Sequence, residues 1–162
     1  MIPVFFIIFV IFIIIFNYVQ RKSTGRQEEV EEQFWKRERE ANLTRKQDIS
    51  QLPYIYLPRT LISGNLRSEA EDKLLALDGR PMIDLTEYTN TDLKLKYGAA
   101  NLNILNQYET DYIQMYEQLP IYIQELIDAG KSEEASMLFQ FAEDHQITSN
   151  SLSYAKKIFQ ES

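Results

Sequence analysis

The 162-residue chain has no cysteine and one histidine, His145. The first absence excludes disulfides, thiol nucleophiles and thiolate-held metal; the second leaves too few ligands for a zinc site, so no metal is expected. His145 stands in Glu143-Asp144-His145-Gln146 near an expected helix end, where a solvated imidazole favours the C-terminal dipole. The five glycines are scattered at 25, 64, 79, 98 and 130, which leaves no phosphate-cradling loop and no expected cofactor. Basic charge is scarce in the distal part. From Gln47 to Ser162 there are nine basic and eighteen acidic residues, a net charge of −9, which repels phosphate backbones and anionic headgroups and argues against nucleic acid.

What the chain does have is a long apolar run. From Ile2 to Phe16 every side chain is Ile, Val or Phe except Pro3, and continuing through Val19 gives 18 residues. As a helix they reach roughly 27 Å, close to a bilayer's hydrocarbon thickness, so residues 2–19 are expected to be a single transmembrane helix. A cleaved signal requires a basic stretch before the run and small residues after it; Asn17-Tyr18-Val19-Gln20-Arg21-Lys22 follows instead. Tyr18 suits the headgroup belt. Arg21, Lys22 and Arg26 stand on the C-terminal flank, where they can meet lipid headgroups, and the positive-inside rule then puts the rest of the chain in the cytoplasm.

Residues 20–47 are dense in Glu, Arg, Lys and Gln, with opposite charges at i, i+4 such as Glu32 and Lys36. A charged helical stalk is expected. Val30, Phe34, Trp35, Ala41 and Leu43 give no sustained heptad, so a solvated helix is favoured over a coiled coil, with Phe34 and Trp35 available to dock.

Residues 48–162 suffice for one modest helical domain. Pro53 and Pro58 bracket an extended Tyr54–Leu57, and Met82–Leu85 is a second extended piece, a possible parallel partner. Between them Ser68-Glu69-Ala70-Glu71 reads as a capping box opening a short helix that stops at Gly79. Thr89-Asn90-Thr91-Asp92 opens another, ending at Gly98. Apolar residues then recur at helical spacing from Leu102 to Leu126, with Pro120 expected to kink or break the helix. Gly130 ends that segment, and Ser132 is expected to cap the next.

Gly130, Ala135, Phe139 and Ala142 have the glycine, small, aromatic, small spacing of a tetratricopeptide repeat, with Leu119, Ile123 and Leu126 at core positions of its first helix. The chain therefore resembles one such repeat over Tyr116–Ser149, followed by a helix from Ser151 to Gln160, so that residues 101–162 form tetratricopeptide-like helices. It departs from the pattern at Ile123, where Gly or Ala is usual, and at Ile147, where Pro is usual. The stretches Leu52–Ile55, Ile83–Thr86 and Asn90–Leu102 are also similar to an uncharacterised family of small membrane-anchored proteins of Gram-positive bacteria, a resemblance that implies no activity.

The sequence thus predicts a mainly α protein with a transmembrane helix, a stalk and a small helical domain. It points to a membrane-anchored adaptor or scaffold that binds a protein, not to an enzyme; the alternatives are an accessory subunit of a membrane complex and an enzyme of unrecognised type. Tyr108, Tyr112 and Tyr116, at i, i+4, i+8 among ten tyrosines, are candidate partner-binding residues, tyrosine being favoured at interfaces. The polar run Asn90, Asp92, Lys94, Lys96 and Asn101 is a second candidate surface.

Overall fold

The computed structural model describes residues 4–161, with the side chains of 6–18 and 28–159. The protein is mainly helical. Helix α1 runs unbroken over Val4–Leu43, and among the described residues no helix is long and apolar enough to cross a membrane. The described side chains of the apolar run are those of Phe6 to Tyr18, thirteen residues. The remainder of the span expected over 2–19, and the side chains of Arg21, Lys22 and Arg26, lie outside the described residues.

The lower end of α1 is not a free stalk. It lies on α3 (Asn90–Tyr97), where Ala41 is fully buried, Arg37 pairs with Asp92 at 2.6 Å, and Glu38 takes hydrogen bonds from Lys94 and, at 2.8 Å, from Thr91. The Lys94 and Thr91 contacts hold the Glu38 carboxyl below its ordinary range. Phe34 and Trp35 do not dock on the distal helices; they meet edge to face at 5.3 Å and stay half exposed.

After α1 the chain turns under α3. Gln47 N–H donates to the Tyr97 carbonyl at 2.9 Å, and the Asn101 amide, buried, donates to the carbonyls of Gln47 (2.8 Å) and Tyr97 (2.7 Å). Ile83, Leu85, Leu93 and Leu105 form a small core here, flanked by Ile49, Leu52, Tyr54, Tyr97 and Tyr108.

The two extended pieces meet at one point, Ile55 with Met82, exchanging N–H···O bonds of 2.8 and 2.9 Å. The pairing is antiparallel, which corrects the expected parallel pair. One residue pair exchanging both bonds is an antiparallel pattern, and the short α2 (Glu69–Leu75) with the turn at Gly79 reverses the chain instead of crossing it over.

Ser68 caps α2 by accepting from Glu71 N–H at 3.1 Å, but Glu71 does not reach back to close the expected capping box. Its carboxylate points into the preceding loop and accepts from the N–H groups of Asn65 (3.1 Å) and Arg67 (2.8 Å) and from the Tyr122 hydroxyl (2.9 Å). Because Glu71 is 1% exposed, these donors replace the water it has lost. In α3, by contrast, Thr89 and Asp92 form a complete capping box.

Helix α4 spans Leu102–Asp128 with Pro120 inside it, so the proline does not divide it. Met115, Leu119, Tyr122, Ile123 and Leu126 are fully buried in the main core against α2, α5 (Ser132–Asp144) and α6 (Asn150–Glu161), while Leu105 belongs to the smaller core. Between α4 and α5, Gly130 takes φ +72°, with Gly130 N–H bonding to Ile127 O and Lys131 N–H to Leu126 O, the paired bonds of a Schellman cap. Lys131 is then the residue before α5 and gives no side-chain cap, and Ser132 is already helical, which corrects its expected capping role.

Helix α5 ends the same way, with Gln146 N–H on Glu143 O and Ile147 N–H on Ala142 O. Ile147 is buried and donates a bond that the proline usual in a tetratricopeptide repeat could not. Gln146 occupies the left-handed position at φ +57°. Since that conformation costs an L-residue on the order of 1 kcal/mol that glycine avoids, Gln146→Gly is expected to stabilise the protein by about 0.5–1 kcal/mol in urea unfolding. A loss of stability would show that the Gln146 side chain contributes more than the backbone strain costs.

Candidate functional site

The residues of the polar run nominated from the sequence each have partners within the fold. Asp92 caps α3 and pairs with Arg37, so its carboxyl is held low first by Thr89 and then by Arg37. Lys94 is taken by Glu38. Lys96 donates to the Tyr88 hydroxyl at 3.0 Å and lies over the Tyr88 and Tyr97 rings. Asn90 Oδ1 receives the Asn106 amide at 3.4 Å, and Asn101 is buried. Asp92 and Lys94 fasten α1 to α3, and Asn101 fastens the loop that follows α1.

The tyrosine stripe divides. Tyr108 packs edge-on against Tyr54, 5.4 Å between centroids, beside the smaller core. Tyr112 is 7% exposed, and burial pushes its hydroxyl up to about 12, aided by the nearby Asp84 carboxylate. Tyr116 stays partly exposed and donates to the Thr148 carbonyl at 3.0 Å.

Tyr116 is the middle of something larger. A small recess of about 300 Å³ is lined by Asp84, Tyr112, Ile113, Tyr116 and Thr148. A second, sharing Tyr116 and Thr148, extends to Asn150 and Ser153. The third, about 770 Å³, shares Asn150 and lies between α4 and α6 against Pro120, Ile121, Gln124, Tyr154 and Ala155. Neighbouring recesses share lining residues and follow one another along α4 as a row, the α4–α6 trough, with the Tyr116–Thr148 hydrogen bond at the residues the first two share. From Tyr112 to Gln124 it covers twelve helical steps, roughly 18 Å. Ile121 is 49% and Tyr154 67% exposed, apolar side chains open to solvent beside hydrogen-bonding amides at Gln124 and Asn150.

Pro120 lacks an N–H, so it cannot give the Tyr116 carbonyl its usual helical bond.

Catalytic geometry is thin. Asp84 accepts from Thr86 N–H at 3.0 Å and Thr86 hydroxyl at 2.7 Å, and the nearby Glu109 is raised by burial and then by Asp84. Among the described residues no cluster of His, Cys, Asp and Glu could hold a metal ion. His145 caps the C-terminus of α5, its Nδ1 2.9 Å from the Phe141 carbonyl.

Sequence reading missed Ile121, Gln124, Asn150 and Tyr154, and took Pro120 only as a kink or break in the helix. A signal was present: Ile113 and Ile121 fall out of phase with the buried stripe of α4, so each is an apolar residue on a solvent face. No protein-family model matches the chain, and no curated protein or solved structure is significantly similar to it.

Proposed function

We propose that the protein is a membrane-anchored protein-binding module, an adaptor or scaffold whose tetratricopeptide-like helices hold a partner segment in the α4–α6 trough at the cytoplasmic face. The observation that carries this reading is the recess between α4 and α6, a concave surface with exposed Ile121 and Tyr154 beside the amides of Gln124 and Asn150, the usual composition of a peptide site. Anchoring is supported by the apolar run. Every side chain from Phe6 to Phe16 is 39–62% exposed, an uncovered apolar surface that a bilayer would cover. Tethering then raises the effective concentration of partners held at the same membrane.

The cysteine-free background supplies the test. Single variants Ile121→Cys, Tyr154→Cys and, outside the trough on α5, Met137→Cys are crosslinked in intact cells. The expected result is one reproducible adduct from the two trough positions and none from Met137; equal yields from all three would overturn the reading. A Ser162→Cys variant protected from a membrane-impermeant maleimide fits the cytoplasmic orientation, and labelling from outside would reverse it.

A further inference from the structure

Gln146 stands at φ +57°, where glycine would be free of strain, and its side-chain amide has no hydrogen-bond partner among the described residues. It lines the recess of about 300 Å³ at the Tyr112 end of the row, together with Thr148, whose hydroxyl is likewise unbonded. Strain held at a residue whose polar side chain is unused by the fold, and which lines a cavity, marks a position kept for binding rather than for stability. The same recess is aromatic. Tyr112 and Tyr116 project one turn apart from α4, their ring centroids 6.2 Å apart and their planes inclined at 32°, which gives the cavity an apolar corner. Its other polar groups are already paired. The Tyr112 hydroxyl is bonded to Asp84, Asp84 also accepts from the N–H and hydroxyl of Thr86, and Tyr116 donates to the Thr148 carbonyl. From this arrangement we propose that the recess binds one neutral, polyhydroxylated ring of monosaccharide size, its C–H face against Tyr112 and Tyr116 and its hydroxyls bonded to the Gln146 amide and the Thr148 hydroxyl.

Size and chemistry narrow the class. A volume of about 300 Å³ lies at the small end of ligand pockets, room for one ring and not for a chain. An anion finds no Lys or Arg among the described lining residues and meets Asp84 instead. A cation finds the Asp84 carboxylate already taken by its donors on Thr86 and Tyr112. A wholly apolar ligand would cut the Gln146 amide and the Thr148 hydroxyl off from water with nothing to replace it. A neutral polyol avoids all three penalties, since its hydroxyls match groups that both donate and accept and its C–H face suits a tyrosine ring. The proposal goes beyond the peptide-binding reading and does not depend on it, because neither Ile121 nor Tyr154 lines this recess.

The full-length protein in a polyoxyethylene detergent, which carries no sugar, is titrated with glucose, N-acetylglucosamine and myo-inositol as neutral rings. A phosphorylated glucose and tetramethylammonium serve as charged comparisons, and binding is followed by saturation-transfer NMR. The expected result is one-to-one binding of at least one neutral ring with a Kd on the order of 1 mM, about fivefold or more tighter than either charged probe. Gln146→Gly relieves the backbone strain and should still weaken that binding about fivefold, a loss that unfolding cannot explain. Gln146→Ala, which removes the amide and keeps the left-handed position, should weaken it as much, whereas Tyr154→Asp, outside the recess, should leave it unchanged. Neutral-ring binding indifferent to both Gln146 variants would place the sugar elsewhere and overturn the proposal. Tighter binding of either charged probe would overturn the neutral class, and no binding by any probe at millimolar concentration would overturn the site. Crosslinking at Ile121 and Tyr154 decides separately whether the recess between α4 and α6 holds a protein partner.

Discussion

Gly98→Ala is expected to destabilise the protein by about 4 kcal/mol, lowering its midpoint by roughly 10 °C, and to free the loop that fastens α1. Two causes act together. Gly98 sits at φ +88°, ψ 143°, a conformation that glycine reaches and other residues adopt only with strain of about 1–3 kcal/mol. A Cβ there would also stand 2.4 Å from the Arg45 carbonyl oxygen and 2.7 Å from Lys46 Cα. These are backbone atoms that cannot rotate away, so either Gly98 or the loop must move. Moving the loop breaks the bonds from Gln47 N–H to Tyr97 O and from the buried Asn101 amide to Gln47 O. Hydrogen exchange distinguishes the routes: loss of protection at Gln47 with α4 and α5 protected means that α1 has come away alone. A midpoint within 2 °C of the parent, with Gln47 still protected, would refute the account.

That glycine also shows where sequence reading stops. The caps at Thr89 and Ser68, the close of α4 at Gly130 and the buried faces of α4 and α5 rest on spacing over a few residues, and local patterns carry them. Gly98 was legible as a helix end, but its close approach to Arg45 joins positions 53 residues apart, which no local pattern encodes. The partners of the polar run were hidden for the same reason. Asp92 and Lys94 look like a solvated face until α1 is laid against it, and the residues that pair with them, Arg37 and Glu38, come from a segment read as a free stalk. In the trough, Tyr112 and Tyr116 were found through their helical spacing on α4, whereas Tyr154 belongs to the site only because α6 folds back beside α4.

Glu71 carries the second large effect. Its carboxylate joins three parts of the fold: its own helix α2, the loop at Asn65 to Arg67, and α4 through Tyr122. The same Tyr122 hydroxyl accepts from Ser63 N–H at 3.2 Å, and Lys131 reaches Ser63 Oγ at 3.3 Å, so the loop is fixed to the main core through this anion and through Ser63. Glu71→Ala would leave the N–H groups of Asn65 and Arg67 and a buried tyrosine hydroxyl without their acceptor. At about 1 kcal/mol or more for each stranded group, the expected loss is about 3 kcal/mol. Glu71→Gln keeps the shape but aims amide hydrogens at N–H donors, and should lose about 2 kcal/mol.

The pH dependence separates this role from simple packing. Burial pushes the Glu71 carboxyl up, but the N–H of Arg67, the Tyr122 hydroxyl and the N–H groups of Leu66 and Asn65 together outweigh it and hold the group below 4.5. A folded-state value below the unfolded one means that the unfolded chain binds the proton first. The stabilisation is therefore complete above about pH 4.5 and is lost as pH falls through the lower folded value. Glu38, Asp48, Glu69 and Asp92 are also held low and contribute to the same acid slope, so the informative quantity is the difference between parent and Glu71→Gln. Chemical unfolding from pH 7 to pH 3 should show the stability gap narrowing as the parent protonates, because the variant has no proton to gain at this position. A gap constant across that range would mean that the Glu71 carboxylate does not hold the loop as an anion, and that its substitution acts through volume and shape alone.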